Sequence, residues 1–244
     1  YVVDLFREAL KKFNAPVDLI QTIEKSSIDA TNELMKSVDV VVATGGAGMV
    51  KAAYSSGHPA LGVGPGNVQV ILDRGIDYEE AVKKIISGRT FDNGIICSGE
   101  QAVFIPKEDY TKVIDLFKKN GVFYVDDEAN IQKFASAIFP ENGPINRKIV
   151  GQSVQTIAKL AGVEVPENTR MILIKARAIG KGNGEPLCRE KMCPVMIAAS
   201  YETFEEAVEL AQSDLEYEGK GHTASVHSND LEHVRYAGEH LTVS

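Results

Sequence analysis

The stretch "VDVVVATGGAGMVKAA", residues 38–53, decides the fold. Its first part, residues 38–43, is an apolar run rich in valine and reads as a buried strand. The glycines that follow turn the chain, and residues 47–53 carry the composition of a helix. Backbone N–H groups around Gly45, Gly46 and Ala47 are then placed to face an anion or a cofactor. The stretch lacks the full G-x-G-x-x-G pattern with an acidic residue about twenty positions on, so a plain strand-to-helix connection stays equally open.

Working outward, the same rhythm of helix and strand repeats along the chain. Val3, Phe6, Leu10 and Phe13 share one helical face, and a shorter helix is expected over residues 28–37. Strands are expected at 60–63, 68–72, 102–106, 171–176, 194–200 and 223–228. Helices are expected at 78–90, 108–120, 130–139, 154–161, 203–212 and 230–240. Such alternation predicts an α/β protein with a mostly parallel sheet covered by helices on both faces. No internal repeat or low-complexity tract interrupts it.

Composition narrows the function classes. With 244 residues and 44% hydrophobic content the chain can bury a sizeable core. A net charge of −8, no tryptophan and no stripe of lysine and arginine argue against a nucleic-acid partner. Runs such as "VDVVVAT" and "VQVILD" are too short to span a bilayer, and the first residues do not resemble a signal peptide. Three cysteines without regular spacing make no disulfide framework and fit a reducing, cytoplasmic setting. A small molecule is the expected partner.

Most charged or metal-like patterns have ordinary explanations. Cys188, Cys193, His222 and His227 form C-x4-C and H-x4-H pairs, but they are far apart and lack a compact finger, so no metal site is expected. Glu79, Glu80, Glu205 and Glu206 open helices, where negative charge complements the dipole. His227, His233 and His240 read as surface residues of a strand or helix. The Gly-rich segment 178–188 lacks a following G-K-S/T and reads as a surface loop. "GVGPGN", residues 62–67, has three glycines around a proline, which lets backbone approach something closely. Cys97, in "FDNGIICSGEQ" (residues 91–101), sits among small and polar residues, so it is either a nucleophile or a small buried hydrophobe.

Four ordered stretches carry a resemblance: "ATGGAGMVKAAYSSGHPALGVGPGN" (43–67), "FDNGIICSGEQ" (91–101), "REKMCPV" (189–195) and "GKGHTASVHS" (219–228). Together they resemble the CoA-acylating branch of the aldehyde dehydrogenase superfamily. That branch includes acetaldehyde and succinate-semialdehyde dehydrogenases and the aldehyde dehydrogenase half of bifunctional aldehyde-alcohol dehydrogenases. Its members are longer, so the chain is expected to be partial. The resemblance implies an aldehyde dehydrogenase-like α/β fold, with residues 1–70 closing a Rossmann-like NAD(P)-binding domain and residues 71–244 forming most of a catalytic domain.

The resemblance also implies the chemistry. Cys97 falls on the catalytic cysteine, which adds to an aldehyde and carries the acyl group as a thioester to CoA, and the reverse sequence reduces acyl-CoA. The oxyanion donors are the cysteine's own N–H and an asparagine expected upstream of residue 1. Thr44, Gly45 and Gly46 match the turn beside the cofactor, and Glu190 matches the glutamate on the nicotinamide ribose. His222 matches a histidine that deprotonates or positions CoA, with a structural role equally open. Gly62 stands where hydrolytic relatives carry the glutamate that activates water, so acyl transfer to CoA is expected over hydrolysis. The implied cofactor is NAD or NADP with CoA as co-substrate, and the complete protein is expected to be a cytoplasmic homo-oligomer. A hydrolytic enzyme, or a catalytically silent fragment with an assembly role, is the alternative.

Overall fold

The computed structural model describes residues 1–180 and 184–243. The chain divides into two compact units, Tyr1–Val63 and Gly64–Ser244. The strand that begins at Val68 is an inner strand of the second unit's sheet. Residues 181–183 of the expected loop 178–188 lie outside the described residues.

The first unit contains α1 (Val2–Lys12), α2 (Ile28–Ser37), β1 (Val41–Thr44), α3 (Ala47–Tyr54) and β2 (Ala60–Val63). Ser27 caps α2 by accepting the Ala30 N–H. The strands β1 and β2 pair in parallel, with Val41 opposite Ala60 and Thr44 opposite Val63. Met35, Val41, Ala43 and Ala53 form a small core, while Val42 and Leu61 point outward on the opposite face. The strand expected at 38–43 begins only at Val41, because Val38 instead closes α2 as its C-cap.

The second unit is built on a parallel sheet of order β5-β6-β7-β4-β3-β8. Its elements are β3 (Val68–Leu72), α4 (Tyr78–Thr90), β4 (Glu100–Pro106), α5 (Tyr110–Lys119), β5 (Val122–Val125), α6 (Glu128–Ile138), α7 (Val154–Ala161), β6 (Met171–Lys175), β7 (Val195–Tyr201), α8 (Phe204–Tyr217), β8 (Ala224–His227) and α9 (Leu231–His240). Asp77, Asp127, Ser153, Thr203 and Asp230 cap α4, α6, α7, α8 and α9 through their side chains. The edge strand β5 has no counterpart in the sequence reading. Its four residues follow directly on the amphipathic α5, and too few of them exist to establish a periodicity.

Two apolar cores explain why these strands are nearly continuous hydrophobic runs. Val70, Leu72, Val103, Ile105, Leu173 and Met196 face α4 and α5. Their alternates Ile71, Phe104, Ile172, Ile174 and Ile197 face α6, α7 and α8. With helices on both faces, neither parity of the strand can be polar. His233 is not a simple surface residue: its Nδ1 lies 2.8 Å from Oδ2 of the buried Asp73, and its ring stacks on Phe204 at 4.1 Å. This contact ties α9 to the end of β3.

Phe104 is fully buried in a central strand, so Phe104→Ala should cost the second unit about 3–5 kcal/mol in urea unfolding. Leu231→Ala, at an exposed helix start, should change stability by no more than about 0.5 kcal/mol.

Candidate active site

The candidate site lies in the second unit, at the amino ends of four neighbouring strands. Because β7, β4, β3 and β8 all run parallel, the segments leading into them (residues 184–194, 91–99, 64–67 and 218–223) emerge at one end of the sheet. Hydrogen bonds and close backbone packing knit these segments together through Gly66, Asn67, Glu190, Cys193 and Gly219.

Gly66 is at the centre. A Cβ on it would stand 2.0 Å from the carbonyl oxygen of Cys97, so only bare backbone fits against the cysteine. Its N–H donates to Glu190 Oε1 at 3.1 Å. One glycine therefore joins the Cys97 turn to Glu190. The adjacent Asn67 is buried, and its Nδ2 reaches the carbonyls of Cys188 (2.7 Å) and Glu218 (3.1 Å). Gly219, at φ +100°, packs its backbone on Asn67, where a Cβ would come within 2.6 Å of the Asn67 Cβ.

Local chemistry explains the shape of the Cys97 turn. Asp92, Asn93 and Gly94 have φ of 46°, 51° and 69°, a left-handed run that Asp, Asn and Gly tolerate better than other residues. Gly94 then lies directly on the backbone of Cys193, with a Cβ position only 2.6 Å from its carbonyl carbon. The turn ends at the start of β4, where the register with β3 slips between Val68 and Gln69. The slip frees Gln101 from the ladder, and its Oε1 accepts the Lys191 N–H at 3.1 Å.

The three cysteines differ sharply. Cys97 is a half-buried free thiol, whereas Cys188 and Cys193 are buried. Burial, with Asp214 nearby, pushes the Cys188 thiol far up. Burial also raises Cys193, to about 11, against the opposing pull of Arg89 and Lys191. Both are therefore held as neutral, inert thiols.

Glu190 is half-buried, and its N–H donates to Glu218 Oε2 at 2.6 Å. Burial, reinforced by the Glu218 carboxylate, raises its pKa to about 7, although the Gly66 N–H, Arg89 and Lys191 favour the charged form. The neighbouring Met192 has φ of 40°, a strained value for a long side chain. Its carbonyl accepts the Gly151 N–H at 3.0 Å. His222 stands on the loop between Gly219 and β8, with Nδ1 3.0 Å from Thr223 Oγ1.

Thr44, Gly45, Gly46 and Gly62 belong to the first unit. Gly46 is the N-cap of α3, with no side-chain cap, and a Cβ on Gly46 or Gly48 would meet nothing within 4 Å. Packing does not demand glycine there. Gly62 is different. A Cβ would come 2.8 Å from Val50 Cγ1 and 3.0 Å from Tyr54 Cε2, while the Gly62 N–H donates to Tyr54 Oη at 3.1 Å. A cavity of about 440 Å³ lies in the same unit, lined by Ser27, Ile28, Met35, Gly48, Met49 and Ala52.

Sequence reading missed Asn67, Arg89, Gln101 and Glu218 as parts of this site. Asn67 stood within the quoted glycine segment. Arg89 carried its own signal, since it continues the buried stripe Tyr78, Ala81, Val82, Ile85 and Ile86 of α4 at a position that calls for an apolar residue.

Comparison with known proteins places this geometry in a family. Residues 1–141 match the model of the aldehyde dehydrogenase family. The chain is 57% identical over 244 residues to the succinate-semialdehyde dehydrogenase (acetylating) of Clostridium kluyveri, covering 100% of this chain and 53% of that protein. It is similar in structure to an acetylating aldehyde dehydrogenase from Geobacillus thermoglucosidasius, with a TM-score of 0.93 and 39% identity, over 99% of this chain and 53% of that one. An engineered glycolyl-CoA reductase with bound NADP+ gives a TM-score of 0.87 at 30% identity, over 98% and 54% of the two chains. The chain thus spans about half the length of the relatives named here. No helix among the described residues is long and apolar enough to cross a membrane. The match extends over more than half of the chain and the parallel α/β sheet agrees with it, so the chain belongs to the aldehyde dehydrogenase family.

Proposed function

We propose that the chain serves an NAD(P)-dependent, CoA-acylating aldehyde dehydrogenase, converting an aldehyde, CoA and NAD(P)+ into acyl-CoA and NAD(P)H, and the reverse. The observation that carries this reading is the contrast among the thiols: Cys97 is accessible and sits one glycine away from Glu190, while Cys188 and Cys193 are buried and neutral. The acetylating relative and the glycolyl-CoA reductase support the use of a CoA thioester, and the bound NADP+ of the latter supports a nicotinamide cofactor.

In this reading Cys97 Sγ adds to the aldehyde carbonyl carbon. NAD(P)+, when bound, supplies the two-electron acceptor that brings that carbon to the acyl level. Cys97 then holds the acyl group as a thioester, and the CoA thiol attacks it, releasing the Cys97 thiolate. We assign His222 to accept the CoA thiol proton or to orient its chain. Glu190 accepts hydrogen bonds from the cofactor ribose, positioned by the Gly66 N–H. The uncapped α3 terminus at Gly46, with open space above Gly46 and Gly48, suits the negative charge of a pyrophosphate, and Thr44 and Gly45 lead into it. A hydrolytic reaction is disfavoured, since residue 62, where hydrolytic relatives carry the glutamate that activates water, is glycine here. Acyl transfer to CoA needs no such base.

Incubating the protein with an acyl-CoA and mapping the adduct by mass spectrometry tests the assignment. The acyl group should appear on Cys97, be lost in Cys97→Ala, and persist in Cys188→Ala and Cys193→Ala. An adduct on either buried cysteine would refute it.

The raised pKa of Glu190 gives a second test. A carboxyl whose folded pKa exceeds its ordinary value of 4.5 contributes stability that is full below that value and is lost as pH rises through about 7. Glu190→Gln removes this loss, so the variant should gain melting temperature on the wild type between pH 5 and pH 8. Its NAD(P) affinity should fall about tenfold or more, the scale of one hydrogen bond to a charged group. Parallel stability profiles for the two proteins would contradict the burial of this carboxyl.

A further inference from the structure

Arg89 is an arginine placed where α4 should present a hydrophobe. It is fully buried, in the last helical turn, on the stripe that otherwise packs into the core. A guanidinium keeps its charge in a protein, so burying one is unfavourable unless its hydrogen bonds are put to use.

Those bonds go to two particular carbonyls. Nη1 donates to Gly99 O at 3.4 Å, two residues after Cys97, and Nη2 donates to Cys193 O, three residues after Glu190. Packing is tight at both places: a Cβ on Gly94 would stand 2.6 Å from the Cys193 carbonyl carbon, and one on Gly99 would be 3.3 Å from Arg89 Nη1. Nε is buried without a partner among the described residues, as is Oε2 of Glu100. Among the described residues Arg89 makes no hydrogen bond to Cys97 or Glu190. It reaches the backbone that carries each of them.

We infer that Arg89 is a positioning residue, which locks the Cys97 turn to the segment carrying Glu190 and so fixes the thiol relative to the cofactor-binding carboxylate. The inference rests on the reading of Cys97 as the acyl-accepting thiol and deepens it. A lysine at this position has one ammonium group in place of a planar fork and holds the two carbonyls less firmly. A methionine continues the apolar stripe and holds neither.

The test compares wild type, Arg89→Met and Arg89→Lys in the full chain, each shown to be folded by circular dichroism. Acylation of Cys97 is followed in a single turnover with acetyl-CoA over a range of concentrations. Arg89→Met should lose about 100-fold in the saturating rate, the effect of misplacing a reacting group by about an ångström, with its half-saturating acetyl-CoA concentration unchanged. Arg89→Lys should recover to within about tenfold of wild type. Hydrogen exchange is measured on the same proteins without any substrate. Amides of residues 94–99 and 191–195 should exchange faster in Arg89→Met, while those of α5 and α6 stay at wild-type rates. If wild type is acylated and Arg89→Met reacts equally fast, the positioning role falls while the proposed function stands. If wild type is not acylated at all, the proposed function falls. Exchange then decides the clamp alone: acceleration confined to the two segments supports it, and unchanged or uniformly faster exchange overturns it. Should Arg89→Met fail to fold, Arg89→Lys carries the same comparison, and a wild-type saturating rate together with wild-type exchange in Arg89→Gln refutes the role.

Discussion

The close approach of Gly66 to the Cys97 carbonyl is the constraint on which the site depends. It brings β3's leading segment against β4's, and the Gly66 N–H then fixes Glu190 at the entrance to β7. Asn67 and Gly219 extend the contact to β8. Open parallel sheets usually bind ligands beyond the carboxyl ends of their strands. Here the thiol and its partners gather at the amino ends, because the chain places its glycine-rich and left-handed segments before β3, β4 and β8. The carboxyl ends of β3 and β8 are instead closed by Asp73, whose Oδ2 is met by Ser228 Oγ and His233 Nδ1.

A site of this kind concentrates unfavourable terms. Arg89 and Lys191 are buried cations, Glu190 and Glu100 are carboxyls raised by burial, and Met192 occupies a left-handed conformation. Lys191 and Met192 are held by backbone partners. Lys191 Nζ donates to the carbonyls of Leu187 and Arg189 at 2.7 and 2.8 Å, and the Met192 carbonyl is met by Gly151. Two packed cores, one on each face of the sheet, supply the stability that lets such a region persist.

Much of this was legible in the sequence. The strands Ala60–Val63 and Val68–Leu72 and the helices Tyr78–Thr90 and Val154–Ala161 fall where the patterns placed them, because hydrophobic period, Asp and Ser caps, and glycine stops agree locally. The strand Val122–Val125 was not legible, since its short run gains meaning only from pairing with β6. The prominence of Cys97 came from its polar neighbours, and its likeness to a catalytic cysteine came from the family motifs. The glycines of segment 62–67 already pointed to a close backbone approach, but not to the requirement for bare backbone at Gly66 against Cys97. That requirement exists only once residues 66 and 97 meet in space. Gly62 shows the converse, for the missing side chain that suggested a catalytic difference also answers to packing against Val50 and Tyr54.

The direct test of this account is Gly66→Ala, compared with Gly64→Ala, where a Cβ would meet nothing within 4 Å. Both variants are examined by urea unfolding and by the rate at which Cys97 takes an acyl group from acyl-CoA. Gly66→Ala should lose about 1–3 kcal/mol, the usual cost of forcing extra volume into packed structure, and its acylation rate should drop about 100-fold or more through displacement of the thiol. Gly64→Ala should match wild type in acylation. A Gly66→Ala protein with wild-type stability and wild-type acylation of Cys97 would contradict the account.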